Sequence, residues 1–139
     1  MRDEAGRPLR LAPFHVEWHA LFALHKFLII WGSAEIGKSV QIIGYLAWRI
    51  GIDPGVRIVL TSKTKDKAAQ LLGMLAKVLH SPEYREVFPN VQVIGCKRSA
   101  TARLTNASTI RVLGYDGRNP TVQAFQFRAP IVGNRVDLL

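Results

Sequence analysis

From Pro13 onward Phe14, Trp18, Leu21 and Phe22 recur at three- and four-residue spacing. That is the period of an amphipathic helix, and a proline at the first position marks its start. Residues 1–12 ahead of it, with Gly6 and Pro8, read as a loose leader. Lys26 to Trp31 (KFLIIW) is an almost unbroken apolar run that predicts a buried strand of a parallel sheet, with Trp31 as a core aromatic. A glycine-bounded loop follows, and then Val40, Ile43, Leu46, Ala47 and Ile50 share one helical face until Gly51 and Pro54 signal a stop. Arg57 to Ser62 (RIVLTS) reads as a second buried strand, and Ala68, Leu71, Leu72, Leu75, Val78 and Leu79 as the face of a long helix. Ser81-Pro82-Glu83 combines a serine cap, proline at the first position and an acid in the first turn, so a short helix starts there and ends near Pro89.

The pattern changes after Pro89. Segments 91–94 (VQVI), 102–105 (ARLT), 109–115 (TIRVLGY) and 121–127 (TVQAFQF) are short, β-rich and separated by turn residues, which predicts an antiparallel meander inserted in an α/β frame. Asp116-Gly117 reads as a turn, and Arg135 to Leu139 as the beginning of another strand. Alternating strands and helices imply right-handed crossovers and a parallel sheet core. No internal repeat or low-complexity tract argues for a solenoid or a linker.

With 139 residues, 48% of them hydrophobic, the chain has the size of one domain with one core. A single cysteine, Cys96, excludes an internal disulfide framework. The opening MRDEAGRPLR lacks the apolar stretch of a secretory signal, so a cytoplasmic location is expected. No apolar run approaches the roughly 20 residues of a membrane span, because His25 and Lys26 interrupt the longest one. A formal charge of +9 favours polyanionic partners such as nucleic acids and nucleotides.

The octet Gly32-Ser33-Ala34-Glu35-Ile36-Gly37-Lys38-Ser39 has two glycines five positions apart, followed by lysine and a hydroxyl residue. This is the pattern of a phosphate-binding P-loop (Walker A). Glycines let successive amides turn inward around an anion, and the helix that follows adds its positive end. Lys38 is expected against the β- and γ-phosphates of ATP, and the Ser39 hydroxyl as one ligand of Mg²⁺. Glu35 sets a carboxylate on the rim of an anion site, where repulsion is avoided only if the side chain turns to solvent.

Other candidates gather around that loop. Thr61, Ser62 and Lys63 close the second strand, at the sheet edge where α/β proteins collect ligands, and Lys63, Lys65 and Lys67 alternate there as candidate DNA contacts. His15 and His19 are four apart, yet the histidines lack the carboxylate company of a metal site. An ATPase also needs an acid at the end of another apolar strand. Asp116 fits a turn better, and Asp137 begins an apolar run rather than ending one.

With these motifs in place, the chain resembles the N-terminal ATPase region of tailed-phage terminase large subunits, the motors that package DNA into proheads. The resemblance runs from Pro13-Phe14-His15 through IIWGSAEIGKS, GYLAWRIG, RIVLTSKTKDKAAQ and SPEYREVFP to NPTVQAFQF and IVGNRVDLL. It implies an α/β P-loop NTPase fold of the additional-strand, RecA-like type, with residues 13–139 a partial ATPase domain incomplete at its C-terminus. The Walker B acids and the nuclease domain of that family would follow Val136-Asp137-Leu138-Leu139 and are absent here. The acid-bearing strand and the one after it would lie at the sheet centre, between the first two strands. The implied function is ATP hydrolysis coupled to translocation of double-stranded DNA, with ATP and Mg²⁺ as cofactors. Implied partners are a portal protein, a small terminase subunit and further copies of the chain, inside a bacterial host cell. Phe14 and His15 fall in the segment with which the family touches adenine. Ala34 stands where the family commonly has arginine. A helicase-like nucleic-acid-dependent ATPase, or a nucleotide- or DNA-binding remnant without turnover, are the alternatives.

Overall fold

The computed structural model describes residues 10–94, 109–114, 120–127 and 137. They fall into two compact units, residues 1–45 and 46–139, and the division lies inside one helix.

The first unit holds α1 (Pro13–Leu24) and the first half of α2 (Lys38–Ile52). Helix α1 starts at Pro13 as expected, with Ala12 as its cap. Its buried position is nonetheless His15, while Phe14 is 41% exposed. Between the helices, Lys26–Trp31 is not a strand. Phe27, Ile29 and Trp31 are 86%, 90% and 97% exposed, so the expected core position of Trp31 is also corrected. A strand exists only where a neighbour takes up its backbone N–H and C=O groups, and among the described residues none lies alongside this run.

The second unit contains a three-stranded sheet. Strand β1 (Ile58–Ser62) pairs in parallel with β3 (Val122–Gln126), Ile58 opposite Val122 and Ser62 opposite Gln126. Strand β2 (Thr109–Ile110) pairs antiparallel with β3, so the spatial order is β1-β3-β2. The 121–127 run has the antiparallel partner expected within a meander, β2, and on its other edge it pairs in parallel with β1, so β3 is the central strand and the sheet is mixed. Of the other expected meander strands, 91–94 runs antiparallel to 111–113 through the Val93–Val112 bridge and hydrogen bonds from the Ile94 amide to the Arg111 carbonyl at 2.8 Å and from the Leu113 amide to the Gln92 carbonyl at 2.7 Å, while 102–105 lies outside the described residues, as does the Asp116-Gly117 turn.

Helix α3 (Lys65–Leu79) packs on β1 and β3 and buries Ala68, Leu72, Leu75 and Leu79. This three- and four-residue spacing is one face of a helix. Its cap is Thr64, whose hydroxyl accepts from the Lys67 amide at 3.3 Å. The short α4 (Pro82–Val87) begins at Ser81-Pro82 as the sequence predicts, with the Ser81 hydroxyl accepting from the Tyr84 amide at 3.2 Å. Tyr84 is buried and donates to the Ala47 carbonyl at 2.9 Å. Fully buried Thr121 is satisfied in the same way, accepting from the Val112 amide at 3.0 Å.

Of the strand expected from Arg135, Asp137 alone is described. Its amide donates to the Arg57 carbonyl at 2.9 Å, and its carboxylate accepts from the Arg57 amide, Nε and an Nη at 2.9 to 3.1 Å.

Candidate functional site: the loop ahead of α2

The octet Gly32–Ser39 forms a tight loop that runs directly into α2, whose first residue is Lys38. Two residues are left-handed, Glu35 at φ 65° and Gly37 at φ 83°, and Ile36 between them is not. Alternation of this kind turns consecutive amides toward one side and makes a concavity for an anion. Glycine adopts the left-handed region freely, which suits position 37, whereas at Glu35 the same conformation costs roughly 1–2 kcal/mol.

The first glycine serves a different purpose. A Cβ on Gly32 would lie 2.5 Å from Cδ1 of Ile36, so a larger residue there would make the tip of the isoleucine side chain turn aside. Lys38 reaches back over the same loop. Its Nζ donates to the Gly32 carbonyl at 2.9 Å and also to the Ser33 carbonyl. Ser39 is exposed at the second position of α2, and Glu35 is exposed on the rim. The Gly37 carbonyl accepts the first helical bond, from the Gln41 amide at 3.0 Å. The N–H groups of the first turn, which have no partner within the helix, therefore face the loop together with the positive end of the helix dipole.

Helix α1 supplies one wall. The Ala12 amide donates to His15 Nδ1 at 3.1 Å, and His15 Nε2 lies 2.8 Å from the Ile36 carbonyl oxygen. One turn further on, His19 Nε2 is 2.7 Å from Oε1 of Gln41, a buried polar residue of α2. Phe14 stacks edge-on to His15 with centroids 4.2 Å apart. A cavity of about 290 Å³ opens between these groups, lined among others by Arg10, Phe14, His15, Glu35, Gly37 and Gln41. Phe14 and His15 thus stand beside residues 35–37. His19 and Gln41 had no place in that reading. The available signal was a glutamine on the otherwise apolar stripe of α2, four residues after the second loop glycine.

No family model matches the chain. No curated protein and no solved structure matches it either.

Among the described residues there is no cluster of three or more side chains able to hold a metal by themselves. Mg²⁺ in a phosphate site does not need one, since it keeps several waters and takes one or two protein oxygens beside those of the phosphates. An exposed Ser39 hydroxyl next to the loop fits that requirement. Lys63, Lys65 and Lys67 belong to the second unit, where they are exposed at the end of β1 and in the first turn of α3. Among the described residues no helix is long and apolar enough to cross a membrane.

Proposed function

We propose that residues 32–39 bind the phosphates of ATP with Mg²⁺, and that the chain is the nucleotide-binding part of a DNA-packaging motor of the terminase large-subunit type. The observation that carries this reading is the pair of left-handed residues at 35 and 37 immediately ahead of a helix that begins with Lys38. Lys38 supplies a compact positive charge for the transferring phosphoryl group, the loop amides hold its oxygens, and Ser39 gives the metal one oxygen. Bound Mg²⁺ would neutralise charge on the β- and γ-phosphates. The formal charge of +9 and the exposed lysines 63, 65 and 67 suit a polyanionic track such as duplex DNA.

A nucleotide-binding module without turnover is the alternative. Titration of the full chain with ATP and Mg²⁺, followed by phosphate release with and without duplex DNA, separates the two. Binding with DNA-stimulated release supports the motor, binding without release supports the module, and no binding removes both.

A further inference from the structure

We propose that His15 is a positioning residue that presets the phosphate-binding peptide between Ile36 and Gly37, and does so independently of the base of the nucleotide. The proposal rests on the phosphate-loop reading above and assigns a role within that same site.

The hydrogen bonds determine the state of the ring. The Ala12 amide can only donate, so Nδ1, 3.1 Å away, accepts and carries no proton. The proton of the neutral ring is therefore on Nε2, which donates to the Ile36 carbonyl at 2.8 Å. A trans peptide is planar, with its C=O and N–H pointing in opposite directions. Holding the Ile36 oxygen on the α1 side therefore directs the Gly37 N–H away from α1. A Cβ at Gly37 would be in ordinary van der Waals contact with the ring, 3.5 Å from Nε2. Gly37 has a left-handed φ of 83°, and its carbonyl accepts the first helical bond of α2.

The ring itself has little freedom. His15 occupies the third position of α1, where a glutamate or glutamine commonly reaches back to the cap amide, and here the imidazole does so. It is 9% exposed and in contact with the rings of Phe14 and Trp18, at centroid distances of 4.2 and 5.3 Å. His19, on the same face, ties α1 to Gln41 in the next turn of α2. Loop and helix start are consequently held from one side by two imidazoles before any phosphate arrives, which is the preorganisation that lowers the cost of binding.

Two substitutions divide the two nitrogens. His15→Asn keeps an oxygen near the place of Nδ1 for the Ala12 amide and loses the donor to Ile36. His15→Gln places an amide N–H near Nε2 and keeps that donor. Calorimetric titration of the full chain with Mg²⁺-tripolyphosphate, which has no base, and with Mg²⁺-ATP should show affinity reduced about five- to tenfold for both ligands in His15→Asn. In His15→Gln it should stay within about threefold of the unsubstituted chain. Unchanged tripolyphosphate affinity in His15→Asn, a loss confined to ATP, or equal losses in both variants would overturn the proposal. If Lys38→Ala leaves tripolyphosphate binding intact, the phosphate-loop reading itself fails; if Lys38→Ala abolishes it while His15→Asn does not weaken it, only the role of His15 fails. In the unsubstituted chain, ring ¹⁵N shifts should show the Nε2–H tautomer at mildly alkaline pH, and the Nδ1–H tautomer would contradict the assignment whatever the variants do.

Discussion

The Tyr84 hydroxyl donates to the Ala47 carbonyl oxygen at 2.9 Å, joining the six-residue α4 to the middle of α2 through a buried hydrogen bond. Burial pushes the Tyr84 phenol up to about 12 from its ordinary 10. A raised value in the folded state means that the contribution to stability is complete below pH 10 and is lost as pH rises from 10 toward 12, because the unfolded chain ionises first. Tyr84→Phe should lower stability by about 1 kcal/mol at neutral pH and should flatten the alkaline decline, both read by denaturant melts at several pH values.

Gly51 is packed under Phe88. A Cβ at position 51 would meet three atoms of that ring at 2.6 Å, and a rigid ring yields less easily than an aliphatic tip. Gly51→Ala gains helix propensity yet should destabilise the chain by about 1–3 kcal/mol, measured by urea unfolding. A stabilised variant would mean that the end of α4 gives way without cost.

Arg57 and Asp137 share several hydrogen bonds, and their side chains are 21% and 41% exposed. Exposed pairs contribute little, so Asp137→Asn should cost under about 1 kcal/mol, and less still in high salt. A larger loss would show that residue 137 organises the start of β1 rather than decorating it.

Local signals in the sequence proved readable where the structure depends on near neighbours. Ser81-Pro82-Glu83 starts α4 because cap, proline and acid act within a single turn, and the apolar stripes of α2 and α3 needed only their own periodicity. What depends on distant partners was not visible. Lys26–Trp31 has the composition of a strand but no paired neighbour among the described residues, and Phe27, Ile29 and Trp31 are left exposed. Val122–Gln126 was recognisable as a strand, while its parallel pairing with β1 was not, since register and direction are decided across sixty-odd positions. In the candidate site the octet and its helix were legible; the grip of His15 on Ile36 was not, because the two are 21 residues apart and nothing in an isolated histidine names its acceptor.

Glu35 combines a left-handed backbone with a carboxylate on the rim of the proposed anion site. Glu35→Gly removes both penalties. It should raise stability by about 1 kcal/mol and tighten tripolyphosphate binding severalfold, the second effect shrinking with salt. Weaker binding in this variant would show that the side chain takes part in holding the ligand.

The central claim is that the amides between Ser33 and Val40 surround a phosphate chain. Amide shifts of the ¹⁵N-labelled chain, followed while Mg²⁺-tripolyphosphate is added, test it most directly. The expected result is saturable change concentrated at residues 33–40 and lost in Lys38→Ala. Saturable change at Lys63, Lys65 and Lys67 with the loop amides unmoved, or no saturable change anywhere, would contradict it.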